Sequence, residues 1–143
     1  MSKCEHIELS TDDPKKACAF YAKLFKWKFQ TFPSPGGGEY LTFRGPDGAG
    51  GGGITGKQMP EQPTAWMPYI SVKSVKASVK AAKGLGGSAK VEYMPIGDMG
   101  AIGIIIDSTG GHIGLWEAGK AAPKAAAAPK KKSARKKSAK KRR

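Results

Sequence analysis

The sequence predicts an α+β fold of two βαβββ units, followed by a disordered basic tail. Three observations carry this. Segments with strand and helix periodicity follow the order strand, helix, strand, strand, strand, and that order occurs twice. The halves align at a constant offset of 61 residues, which matches Thr11 with Val72, Leu24 with Leu85 and Ile54 with Leu115 and implies duplication. From Gly119 onward the composition collapses to Lys, Ala, Pro, Ser and Arg, with no residue able to build a core. The expected organisation is a domain over residues 1–118 and a tail over 119–143. Within the domain, unit one covers about 4–57, a connector 58–65, and unit two about 66–118.

Each element has a local reason. Glu5–Ser10 alternates polar and apolar residues, as a half-buried strand does. Asp12-Asp13-Pro14 reads as a helix start, with an acidic N-cap and proline where a missing N–H costs nothing. Ala17, Phe20, Tyr21, Leu24 and Phe25 then recur at helical spacing and predict one apolar face. Strands are expected at Trp27–Phe32, Glu39–Arg44 and Gly53–Lys57, separated by glycine- and proline-rich turns. In the second unit, Trp66–Val72 predicts a strand, and Ser74 caps a helix carrying Val75, Val79, Ala82 and Leu85. Gly86-Gly87 stops that helix. Strands follow at Ser88–Tyr93, Ala101–Asp107 and His112–Glu117, the last two joined by the turn Ser108-Thr109-Gly110-Gly111.

The formal charge of +14 is concentrated in the tail. Twelve of the 25 basic residues lie from Gly119 to Arg143, where there is no acid. The first 118 residues hold 13 basic and all 11 acidic groups, a net of +2. Two cysteines without a CxxC motif fit a reducing compartment. No apolar run resembles a signal peptide or reaches the roughly 20 residues that span a bilayer. A soluble cytoplasmic protein is expected.

The opening HIELSTDDPKKACAFYAKLFKWKF, with Phe20-Tyr21 and Leu24-Phe25-Lys26-Trp27 on its helix, resembles the first βα segment of the vicinal oxygen chelate superfamily. The ending IIIDSTGGHIGLWE is similar to that superfamily's closing hairpin. The resemblance covers about Cys4 to Ala118. It implies a cup lined by the sheet, with helices outside, in a superfamily that holds glyoxalase I, extradiol dioxygenases and bleomycin-resistance proteins. Strand alternation then places Ile7, Leu9, Ile70, Val72, Ile113 and Leu115 toward the helices. His6, Glu8, Ser10, Gly53, Thr55, Met67, Tyr69, Ser71, His112, Gly114 and Trp116 are expected to face the cup.

Metal-dependent relatives in such a superfamily carry His, Gln or Glu at four strand positions, two per unit. The matching positions here are His6, Met67, Gly53 and Gly114. A thioether is a weak ligand for a hard cation, and glycine supplies none. The expectation is therefore no metal and no cofactor. With glycine at two positions, room is expected for a small molecule among His6, Glu8, Trp66, Met67, Tyr69, His112 and Trp116, aromatic walls with a few polar groups. No nucleophile motif or phosphate-binding loop is present, so no catalytic residue is assigned.

The tail carries Lys120, Lys124, Lys130, Lys131, Lys132, Arg135, Lys136, Lys137, Lys140, Lys141, Arg142 and Arg143. It is similar to the Lys/Ala/Pro-rich tails of linker-histone-like proteins, which implies a nucleic-acid partner. Counterion release gives such a polycation affinity without base reading. If about eight charges engage duplex DNA, log K falls against log salt with a slope near −7. Nucleoid association follows, or a nuclear location in a eukaryote. Open sheet edges favour a homodimer. The reading favours a metal-independent small-molecule binder with a nucleic-acid-binding tail. Its alternatives are a metal-dependent lyase, isomerase or dioxygenase of the same superfamily, and a nucleoid-associated structural protein.

Overall fold

The computed structural model describes residues 2–34, 37–48 and 50–120. Unit one comprises β1 (Lys3–Thr11), α1 (Pro14–Phe25), β2 (Lys28–Pro33), β3 (Glu39–Arg44) and β4 (Gly51–Gly56). Unit two comprises β5 (Ala65–Ser71), α2 (Val75–Gly84), β6 (Ser88–Ile96), a 3₁₀ turn at Gly97–Met99, β7 (Gly100–Ile106) and β8 (His112–Ala118). The predicted α+β architecture is present, with every predicted strand and helix in its predicted order. Strand β6 extends past Tyr93 because register shifts between Ala89 and Val91, and again before Met94, keep a proline-containing stretch in the ladder. The tail basic residues from Lys124 onward lie outside the described residues.

The eight strands form one mixed sheet in the order β2-β3-β4-β1-β5-β8-β7-β6. In each unit the first strand pairs parallel with the last, and β1 pairs antiparallel with β5 to join the units. The 61-residue offset recurs in three dimensions. Glu8, Leu9 and Ser10 pair with Gly53, Ile54 and Thr55, while Tyr69, Ile70 and Ser71 pair with Gly114, Leu115 and Trp116. The helix caps obey it too. Asp13 accepts from the Lys16 amide at 2.9 Å, and Ser74 from the Ala77 amide at 3.2 Å. The offset lengthens by one residue in the third strands, where Leu41 faces Ile54 but Gly103 faces Leu115.

Two apolar clusters lie between the sheet and its helices. The first holds Leu9, Cys18, Leu41, Phe43 and Ile54, with Ile7, Ala17, Tyr21, Trp27, Phe29 and Trp66 against it. The second holds Val75, Val79 and Leu115, with Val72, Ala89 and Ile105. The apolar faces predicted for the helices are thus corrected in part. Ala17, Cys18 and Tyr21 turn inward on α1, but Phe20 and Leu24 are 59% and 57% exposed, and Leu85 beyond α2 is 82% exposed. One turn of Cβ-bearing residues suffices to cover so narrow a contact, so the outer apolar positions stay in solvent.

Candidate functional site

Because Leu9, Ile54, Leu41 and Phe43 point to the helices, their neighbours along each strand point to the opposite, concave face. In unit one that face carries His6, Glu8 and Ser10 from β1, Tyr40, Thr42 and Arg44 from β3, Gly53 and Thr55 from β4, and Gln30 from β2. In unit two it carries Met67, Tyr69 and Ser71, then Ile102, Ile104 and Ile106 from β7, with Gly114 and Trp116 from β8. Register sets neighbours: His6 stands opposite Tyr69, Glu8 opposite Met67, and Ile102 opposite Trp116. One half of the surface is polar and the other apolar.

At the centre of the polar half the Tyr40 hydroxyl lies 3.0 Å from His6 Nε2 and 3.0 Å from Glu8 Oε2. A phenol has one proton. Given to the carboxylate, it leaves the phenol oxygen to accept from His6 Nε2–H, which assigns that tautomer and leaves Nδ1 as an acceptor. His6 Nε2 and Glu8 Oε2 are 3.7 Å apart, so a protonated His6 would also pair directly with Glu8. Burial, then the neighbouring Glu8 charge and its hydrogen bond, push the Tyr40 phenol far above the ordinary tyrosine value. Burial and Glu8 do the same to Tyr69. Both phenols are therefore firm donors over the physiological range.

Tyr40 reaches this position because Gly53 has no side chain. A Cβ at residue 53 would overlap the Tyr40 hydroxyl. Unit two repeats the device with another strand: a Cβ at Gly114 would lie 2.5 Å from the Tyr69 ring. The Tyr69 ring meets the His6 ring edge-on, with centroids 5.9 Å apart. The room expected beside these glycines is accordingly taken by two tyrosine rings. Two clefts lie elsewhere, one at Tyr93, Asp98, Glu117 and Lys120 and another between α2 and β6. The concave face, with its hydrogen-bonded cluster, is nevertheless the surface where ionisable and aromatic groups converge.

Trp66 is corrected: it lies on the helix side, edge-on to Trp27 and Phe43, with its Nε1–H donating to the Tyr21 hydroxyl at 3.1 Å. Its even position on β5 shares a face with Ile70 rather than with Tyr69. His112 is exposed and sits one pleat before the β5–β8 ladder begins at Tyr69 and Gly114. That ladder starts just after Pro68, which has no N–H to give. Tyr40 stands on the third strand, outside the first- and last-strand positions from which the expected site is drawn. Its signal was available in Tyr40, Thr42 and Arg44 alternating with Leu41 and Phe43.

Comparison with known proteins agrees with this architecture. The chain is 34% identical over 117 residues to CFP32 of Mycobacterium tuberculosis and Mycobacterium bovis, which is provisionally named a glyoxylase. The match covers 80% of this chain and 45% of CFP32, so the chain spans about half the length of these relatives. The crystal structure of a hypothetical protein, BH1468 from Bacillus halodurans, superposes with a TM-score of 0.66 at 16% identity, over 85% of this chain and 98% of that one. Methylmalonyl-CoA epimerase from Mycobacterium tuberculosis gives a TM-score of 0.60 at 14% identity, over 80% and 86%. No protein-family model matches. These likenesses establish the fold and support the resemblance to the vicinal oxygen chelate superfamily.

The resemblance to that superfamily invites a test of the donor set for a divalent metal. The four strand positions offer one imidazole (His6), one thioether (Met67) and two glycines whose space holds phenol rings. Glu8 adds a carboxylate, already bonded to Tyr40. A phenol binds a hard cation well only as phenolate, and Tyr40 resists ionisation. Among the described residues no three His, Cys, Asp or Glu groups converge. The residues present do not fit a three- or four-ligand site.

Proposed function

We propose that this domain binds a small organic molecule on its concave face without a metal, and that the basic tail holds the protein on nucleic acid. The single observation behind the first part is the filling of the Gly53 and Gly114 gaps by Tyr40 and Tyr69. Two positions that would have to supply donors instead present rings whose phenols stay protonated. The chemistry of the face then describes its ligand. Tyr69, Trp116, Ile102 and Ile104 suit a flat apolar body, while His6 and Glu8, tied through Tyr40, suit a hydrogen-bonding head group. The ligand is an amphipathic organic molecule of this kind. Charge density and the lack of apolar anchors favour nucleic acid as the tail's partner. Open edges at β2 and β6 support a homodimer.

Native mass spectrometry of protein purified without chelators tests the first part. The expected result is a homodimer free of stoichiometric zinc, iron, nickel or manganese. A metal bound one per chain, and lost in His6→Ala, would overturn it. Titration with a panel of amphipathic aromatic compounds should quench Trp116 fluorescence in the wild type and leave Trp116→Phe unresponsive. For the tail, replacing the basic residues of 130–143 by glutamine should abolish duplex binding at physiological salt. Unchanged affinity would end that part.

A further inference from the structure

We infer that the α2–β6 face of the folded domain is a second polyanion-binding surface, on which duplex nucleic acid held by the tail lays its phosphate backbone. This rests on the tail reading above and extends it to a part of the chain that is close to neutral in net charge.

Helix α2, with the sequence VKASVKAAKG, has no acidic residue. Lys76, Lys80 and Lys83 recur at spacings of four and three and so share one exposed stripe that flanks the buried Val75 and Val79. Between this face and β6 runs a cleft of about 360 Å³ lined by Lys76, Lys80, Lys83, Val79, Glu92 and Tyr93. Tyr93 is 41% exposed, and the Lys76 ammonium stands 4.6 Å from its ring centroid. Tyr93 also borders the neighbouring cleft of about 250 Å³, whose wall includes Lys120. Lys120 follows Gly119, which is fixed by its amide to the Met99 carbonyl at 2.7 Å. The root of the polycationic tail therefore adjoins the lysine row, with one exposed aromatic ring common to both.

The acidic groups around this surface are few and partly engaged. Glu92 pairs with Lys83, and Glu117 Oε2 accepts from the Val75 amide at 2.8 Å, leaving the exposed Asp98. A phosphate backbone would displace Glu92 from Lys83 and gain three cations in a row. Tethering by the tail raises the local concentration of the duplex, so contacts too weak to act alone contribute to the whole. Alpha helix α1 offers no matching row, since Lys15 is drawn to Glu39 at 3.7 Å and the outer face carries Phe20 and Leu24.

The test is fluorescence anisotropy of a labelled duplex with the full chain across a salt series. K76Q/K80Q/K83Q should reduce the salt slope by about 2–3 and weaken binding at least tenfold near 0.1 M salt, at about 0.9 counterions per contact. E92Q should act in the opposite sense and tighten binding. K16Q/K23Q/K28Q removes the same charge elsewhere and should stay within twofold of wild type. Circular dichroism melts establish that each variant is folded. Equal weakening by the α2 and control triples, or an unchanged slope in the α2 triple, overturns the inference and leaves the tail reading standing. A wild-type chain that fails to bind duplex overturns both.

Discussion

In unit one a glycine on the last strand, Gly53, receives a tyrosine from the third strand. In unit two the matching glycine, Gly114, receives a tyrosine from the first strand. The backbone ladders around the two glycines are equivalent, and so are the helix caps. The outcomes differ. Tyr40 delivers its hydroxyl to His6 and Glu8 and makes a polar cluster, while Tyr69 lays its ring over Gly114 and meets the His6 ring edge-on, with no side-chain hydrogen bond to that cluster among the described residues. A repeated scaffold thus preserves hydrogen-bonding geometry and leaves side-chain chemistry free to diverge on the face that meets a ligand. The helix side shows a related inequality, with a larger aromatic cluster behind unit one than behind unit two.

The largest effect should come from that larger cluster. Ile54→Ala removes a fully buried side chain among Leu9, Leu41 and Phe43 and should cost about 2–5 kcal/mol in denaturant unfolding. Val75→Ala, equally buried behind unit two, removes less and should cost about 1.5–2.5 kcal/mol. Equal losses would mean that the two cores carry the same load.

The glycine gaps come next. Gly53→Ala and Gly114→Ala should each cost about 1–3 kcal/mol by overpacking. Only the first has a relief close at hand, because the obstructing atoms are the far end of Tyr40. Tyr40→Ala in the Gly53→Ala background should therefore cost less than the two single changes together, as a double-mutant cycle measures. An additive pair would show that Tyr40 does not occupy the gap.

Alkaline pH examines both tyrosines together. Their folded-state values are raised, so below about 10 both states are protonated and their contribution to stability is constant. Above about 10 the unfolded chain loses these protons first, and stability should fall by about 1.4 kcal/mol per pH unit for each tyrosine. Tyr40→Phe and Tyr69→Phe should each remove a share of that slope. A stability curve flat from pH 9 to 11 would contradict the burial of both phenols.

The smallest effect tests the equivalence of the units directly. Asp13→Ala and Ser74→Ala each remove one N-cap acceptor and should each lower stability by about 1 kcal/mol. A large loss at one cap and none at the other would show that the repeated geometry no longer does the same task in both units.

Much of this protein is legible in its residues one after another. Asp13-Pro14 and Ser74 mark helix starts because a short side-chain oxygen satisfies an otherwise unpaired amide, a relation confined to four residues. Strand alternation placed Leu9 and Leu115 against the helices for the same local reason, and the 61-residue repeat follows from comparing the chain with itself. The tertiary structure decided the rest. That Tyr40 and not empty space stands beside Gly53, that Trp66 joins Trp27 and Tyr21 rather than the concave face, and that Tyr93 borders both the α2 lysines and the tail root all depend on contacts between distant segments. A pattern of residues states which groups must be buried or paired. Only the register of one strand on another, and the ring that fills a given gap, determines which partner each group finds.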